Sequence, residues 1–184
     1  MAILSLGISH RSASVDLLER LSFGDDDYAK AYRAALDEPA IQGAVILSTC
    51  NRVEIYGDVP AYHAGFLALK RLLSESRSVR ADELGDALYS HYEETAWEHL
   101  FGVAAGLDSM VLGESQILAQ VREADRRAEA EGATTSALTG LFHAAARSGR
   151  RVRTETGVGA APDAFVAAGA DLADHYVGDR KAHV

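Results

Sequence analysis

A hydroxyl, a thiol, an amide and a guanidinium follow one another in Thr49-Cys50-Asn51-Arg52, and Cys50 is the one cysteine of the 184-residue chain. A thiolate is the strongest neutral-pH nucleophile among side chains, provided it is reachable and lies in positive potential. The apolar run Ala44-Val45-Ile46-Leu47 enters this block and an alternating run over 53–59 leaves it. The thiol therefore falls where one strand ends and another begins. Arg52 can stabilise a thiolate or clamp a carboxylate, while Thr49 and Asn51 can orient a substrate or polarise a carbonyl. The competing expectation is a packed cysteine, since a free cysteine is among the most buried residue types. A polar turn favours exposure.

Other residues with chemical capacity are weaker signals taken singly. His99 lies one position off an apolar helical stripe; it can carry a proton or shape a pocket floor, although histidines at such an edge are more often structural. Ser109, Gly113, Gln116 and Gln120 fall near one line at about 100° per residue if 107–131 is one helix. Gly113 would then open space on that line for a ligand. Glu114 lies off the line and joins the same site only if the helix starts near it. His10-Arg11-Ser12 ends the first strand, at an end that a β-α-β-β order can bring near the Cys50 turn.

The elements that must position these groups read clearly in outline. Residues 2–9, 43–49, 52–59 and 87–92 have strand character, and 15–22, 25–37 and 61–76 have helix character. The fold class is α+β: a β-α-β-β-α-β unit forming a mostly antiparallel sheet with helices on one side, followed by a helical subdomain. In that second half, Trp97, Leu100, Phe101 and Ala104 form one stripe and Leu138, Leu141, Phe142, Ala145, Gly149 and Val152 another. Between them Ile117, Leu118, Val121, Ala124 and Ala128 mark a third helix, closed by Gly132. The expected organisation is a catalytic α/β subdomain over 1–92, a helical subdomain over 93–158 that completes the pocket, and a segment over 159–184 leading onward, with Pro162 at its edge, an alanine-rich helix at 163–176 and the lead into a new strand at 178–184.

Composition narrows the function classes. Hydrophobic residues make up 48% and charged residues 24%, as in a globular chain. No window approaches the ~20 apolar residues of a membrane span, and the N-terminus lacks the basic start and apolar core of a signal peptide. One cysteine excludes an internal disulfide and a cysteine-rich zinc site, and a functional free thiol suits a reducing, cytoplasmic setting. The net charge of −9 argues against broad non-specific nucleic-acid binding. It leaves room for a local basic patch at Arg147, Arg150, Arg151 and Arg153, with Arg126 and Arg127 upstream. Neither G-x-G-x-x-G nor G-x-x-x-x-G-K occurs, so the chain carries no recognisable nucleotide cradle.

Four blocks in order carry a family resemblance: Gly7-Ile8-Ser9-His10-Arg11-Ser12-Ala13, Ser48-Thr49-Cys50-Asn51-Arg52-Val53-Glu54-Ile55-Tyr56, Gly106-Leu107-Asp108-Ser109-Met110-Val111-Leu112-Gly113-Glu114-Ser115-Gln116-Ile117, and Arg153-Thr154-Glu155-Thr156-Gly157. Together they resemble the N-terminal region of glutamyl-tRNA reductase, the enzyme that starts the C5 route to 5-aminolevulinate and tetrapyrroles. The resemblance covers residues 2–176. It implies that Cys50 attacks the glutamyl-tRNA ester to form a thioester, which NADPH reduces to glutamate 1-semialdehyde. It assigns Thr49, Asn51, Arg52, Ser109, Glu114, Gln116 and Gln120 to the glutamate pocket, with Arg52 facing a substrate carboxylate and Glu114 the α-ammonium group. It matches His99 to a histidine important for activity.

The resemblance also implies partners and a larger protein. Glutamyl-tRNA is the substrate, with the 147–153 helix a candidate contact, and glutamate-1-semialdehyde aminomutase is an implied partner. Family members continue into a Rossmann NADPH domain and a helical dimerisation domain. The present sequence stops where the Rossmann strand should begin, so it reads as part of a longer chain. The full-length form is expected to be a homodimer and the piece a monomer that hydrolyses glutamyl-tRNA without reducing it. A diverged paralogue and a non-catalytic glutamyl-tRNA-binding module are the alternatives. One local departure is Ser14, where the family often has proline.

Overall fold

The computed structural model describes residues 2–114 and 116–160, together with Ala167, Ala168, Ala170 and Leu172, which are helical. The expectations for Pro162, the complete 163–176 helix and the 178–184 strand lead lie outside the described residues. In chain order the elements are β1 (Ala2–Ser9), α1 (Val15–Leu21), α2 (Asp25–Leu36), β2 (Gly43–Ser48), β3 (Arg52–Val59), α3 (Tyr62–Ser76), β4 (Tyr89–Tyr92), α4 (Glu94–Ala105), α5 (Gln116–Ala130) and α6 (Ser136–Glu155). The four strands form an antiparallel sheet in the order β2-β3-β1-β4. The α+β fold class is as the sequence implies.

Local sequence explains the helix starts. Ser14 caps α1, its Oγ accepting the Leu17 N–H. The serine found where the family often has proline thus supplies a capping oxygen that proline lacks. Asp27 accepts the Gly24 N–H at the start of α2, and three aspartates in that first turn suit the positive end of the helix. Thr135 caps α6 through the Leu138 N–H and ties it to the sheet by donating to Asp58 Oδ2 at 2.9 Å.

Strand alternation sorts the sheet into two chemically distinct faces. Leu4, Leu6 and Ile8 of β1 stand opposite Gly57, Ile55 and Val53 of β3, and Gly57 faces Leu69 of α3. The intervening residues Ser5, Gly7 and Ser9 stand opposite Tyr56, Glu54 and Arg52, with Tyr89 and His91 of β4 in the same row. Helices α4, α5 and α6 pack on this second face. All of β3 is buried. Its polar alternates therefore do not meet water, the usual outcome of such alternation; they meet the helical subdomain. One continuous apolar core runs from the strands through α4, α5 and α6.

Two details of the helical half differ from the sequence expectation. Residues 107–114 are a loop, not the start of a helix that runs to 131; α5 begins at Gln116. Gly106 and Gly113 have φ of +75° and +76°, a left-handed backbone that breaks the helix, and the Gly113 N–H closes the loop on the Gly106 carbonyl at 2.9 Å. The space left by the missing Gly113 side chain is filled by the Val158 backbone rather than left for a ligand. Trp97, a member of the apolar stripe, is 46% exposed; α4 turns Ala96, Leu100, Val103 and Ala104 inward instead.

Candidate active site

Cys50 is exposed, on the turn that joins β2 to β3. Thr49 builds the turn. Its Oγ1 accepts the N–H groups of Asn51 (3.1 Å) and Arg52 (3.2 Å), and its own N–H bonds the Arg52 carbonyl at 2.9 Å. These bonds fix the backbone on both sides of the thiol while leaving the side chain in solvent. The His10 N–H donates to the Asn51 carbonyl at 2.8 Å, so the loop after β1 is attached to the Cys50 turn, as the β-α-β-β order suggested.

Directly beneath the turn lies a buried charge network. Arg52, with a side chain only 2% exposed, donates from one guanidinium nitrogen to Glu54 Oε1 at 2.8 Å. Its other terminal nitrogen donates to the Asp108 carbonyl (2.6 Å) and Asp108 Oδ2 (3.0 Å). Glu54 is fully buried and also accepts from Tyr56 Oη (2.7 Å), Tyr89 Oη (2.5 Å) and His99 Nε2 (2.8 Å). Three of these donors converge on Oε1 and one on Oε2, so both carboxylate oxygens are engaged. Burial alone would push the Glu54 carboxyl up, but the His99 hydrogen bond and the Arg52 charge hold it well below the usual carboxylate range. An ionised Glu54 only accepts, so His99 carries its proton on Nε2.

Asp108 joins three loops at this end of the sheet. Besides Arg52 it meets Arg11 at 3.3 Å, linking the loop after β1, the Cys50 turn and the 107–114 loop. Ser9, Arg11, Ser12, Tyr89, His91 and His99 line a cleft of about 290 Å³ with it. His91 stacks on His99, ring centroids 4.4 Å apart. Burial, followed by the neighbouring His99 charge, keeps the His91 imidazole below its ordinary value.

The residues expected at the site fall into three groups. Thr49, Cys50, Asn51 and Arg52 form the turn, and His99 reaches it through Glu54. Ser109 is half-buried beside Asp108, Glu114 is half-buried at the end of the same loop, and Gln116 is exposed on the first turn of α5. Arg153 of α6 donates to the Glu114 carbonyl. Gln120 lines a separate cleft of about 210 Å³ with Ser48, Tyr28 and Arg127, on the β2 side of the turn rather than the His99 side. Arg52 points inward to Glu54 and Asp108. Sequence alone assigns no role to Glu54, Tyr89 and Asp108; the signal available for Glu54 is its place two residues after Arg52 and two before Tyr56, on one strand face.

A buried charge network under an exposed thiol, on an antiparallel sheet closed by a helical subdomain, defines the class: an α+β domain with a cysteine-bearing turn at one end of its sheet. The solved glutamyl-tRNA reductase from Methanopyrus kandleri has this fold, with a TM-score of 0.69 and 34% identity over 84% of the present chain and 35% of its own. The family described as glutamyl-tRNA reductase, N-terminal domain, matches residues 6–156, and the chain belongs to it. It is 43% identical over 178 residues to the glutamyl-tRNA reductase of Frankia alni, covering 97% of this chain and 38% of that protein. It is likewise 43% identical over 177 residues to that of Thermobifida fusca, covering 96% of this chain and 37% of the relative. The chain thus spans less than two fifths of these relatives.

Proposed function

We propose that this domain performs the acyl-transfer half of glutamyl-tRNA reduction, in the route to tetrapyrroles. The Cys50 thiolate attacks the ester carbonyl that joins glutamate to the 3′ ribose. The carbon–sulfur bond forms, the carbon–oxygen bond breaks, and a proton goes to the departing ribose oxygen. The product is a glutamyl thioester on Cys50 and free tRNA. A thioester accepts hydride more readily than an ester because resonance stabilises it less. In the full enzyme NADPH would supply that hydride.

The observation that carries this reading is the exposure of Cys50 on a turn locked by Thr49 and braced from below by Arg52. A nucleophile held in one backbone geometry loses little freedom on reaching the transition state. Thr49, Asn51, Ser109, Glu114, Gln116 and Gln120 would surround the glutamyl group on both sides of the turn, the Glu114 carboxylate serving its ammonium. Arg52 would act from beneath, as the fixed positive charge behind the thiolate, and His99 as a positioning residue through Glu54. The test is incubation of the purified chain with glutamyl-tRNA and NADPH. Deacylation that Cys50→Ser abolishes, without semialdehyde production, is the expected result. Deacylation that survives the serine variant would overturn the reading.

A further inference from the structure

A second polar cluster lies outside the Cys50 site, where α5 packs against α6. Asp125 and Glu129 are one turn apart on α5, and His143 faces them from α6. His143 Nε2 is 3.2 Å from Asp125 Oδ2, and the donor atoms of all three side chains lie within 4.8 Å of one another. The Asp125 side chain is only 7% exposed, yet its Oδ1 has no hydrogen-bond partner among the described residues. Such an oxygen carries the full cost of lost hydration with no compensating bond. The cluster borders a cleft of about 430 Å³ that opens to solvent, so an ion has a way in.

We infer that Asp125, Glu129 and His143 form a binding site for a divalent transition-metal ion, with Zn2+ the best match. Two carboxylates and one imidazole are a donor set zinc accepts, at about 2.0–2.2 Å from each donor atom. The Asp125 and His143 donors, 3.2 Å apart, are spaced as two neighbouring ligands of one tetrahedral ion at those bond lengths, and the exposed Glu129 side chain, within 4.8 Å of them, closes the remaining gap by a small movement. Three protein ligands leave a position for water on the cleft side. The site would tie α5 to α6, the helices that present Gln116, Gln120 and Arg153 at the catalytic end.

The surroundings limit how tightly the ion binds. Arg122 and Arg126 of α5 and Arg147 and Arg150 of α6 line the rest of the cleft. Arg126 is engaged by Glu123, while the other three have no ion-pair partner among the described residues. Their charge opposes a dication, so the expected affinity is micromolar rather than the far tighter binding of a closed structural zinc site.

The test uses tag-free, EDTA-treated chain carrying Cys50→Ser, so that the thiol cannot bind the ion. Calorimetric titration with Zn2+ should give one site per chain, and Co2+ should produce visible absorption of a nitrogen–oxygen ligand set. His143→Ala, at an exposed position, and Asp125→Asn should each weaken Zn2+ binding at least tenfold. His63→Ala, at an exposed histidine on α3, should leave it unchanged. Saturating Zn2+ should raise the melting temperature in a way that EDTA reverses and His143→Ala removes. No binding to the Cys50→Ser chain, or unchanged affinity in both site variants, would overturn the inference.

Discussion

Along β3 both faces of the sheet are buried, and they are built from opposite materials. Toward α3 the interior is hydrocarbon: Leu4, Leu6, Ile8, Ile55 and Leu69. Toward α4 the same strands present Arg52, Glu54, Tyr56 and Tyr89, closed off by His99 and Asp108. The first face is stabilised by area removed from water, at about 25 cal/mol per Å². The second is costly in desolvation and is tolerable because both Glu54 oxygens and two Arg52 nitrogens find partners. Hydrocarbon contacts tolerate small shifts. A saturated hydrogen-bond network does not, which is why the polar face is the one that fixes the position of the turn carrying Cys50.

Substitutions on the two faces should separate these roles. Glu54→Ala leaves Arg52 buried without its main counter-charge and should cost about 3–5 kcal/mol, measured by denaturant unfolding, and should also suppress deacylation in whatever protein remains folded. Leu69→Ala should cost a similar or slightly smaller amount, about 2–5 kcal/mol, yet leave the deacylation rate per folded molecule unchanged. Equal activity losses in the two variants, after correction for folded fraction, would erase the distinction between the faces.

Smaller effects sharpen it. Gly113→Ala puts a side chain into a left-handed backbone position against the Val158 carbonyl and should cost about 1–3 kcal/mol, with the 107–114 loop displaced. Asp108→Asn keeps the shape but removes the charge shared by Arg52 and Arg11. It should lower deacylation about tenfold, a rise of roughly 1.4 kcal/mol in the barrier, with almost no change in melting temperature.

The acid response of the network has a definite sign. The folded-state Glu54 value lies below its unfolded value near 4.5, so its contribution is present above that pH and is lost as pH falls toward the folded value. Glu54→Gln should therefore be less stable than the parent at pH 7, and the gap should narrow below about pH 4. A gap that stays constant from pH 7 to pH 3 would show that Glu54 is not the ionised hub of this face.

The sheet, its helices and the Cys50 turn were legible in the sequence because each rests on local pattern: alternation, apolar spacing and a polar block between two strands. The 107–114 loop was not. Leu107, Met110, Leu112 and Glu114 are all acceptable helix residues, and Gly113 was read as open space when its left-handed backbone was the informative property. The Glu54 network was hidden for a different reason. Its partners come from β4, α4 and the loop after α4: the pairing of Gly7 with both Glu54 and Tyr89 brings in β4, and packing of α4 on the sheet brings in His99 and Asp108. Trp97 stays exposed because its helix has enough small apolar residues, Ala96 and Ala104 among them, to fill the core without it. Among the described residues no helix is long and apolar enough to cross a membrane. Within the 147–153 cluster, Arg151 pairs with Glu155 and Arg153 with the Glu114 carbonyl, leaving Arg147 and Arg150 on the cleft surface. Charge reversal at Arg150 is thus the better probe of a tRNA contact than reversal at Arg151.

The most direct test of the account is mass spectrometry of the chain quenched in acid after brief exposure to glutamyl-tRNA. The expected result is one glutamyl group on the peptide containing Cys50, released by hydroxylamine and missing from Cys50→Ser. Folded chain that binds glutamyl-tRNA but leaves this sulfur unmodified throughout the time course, or carries the group on another residue, would contradict it.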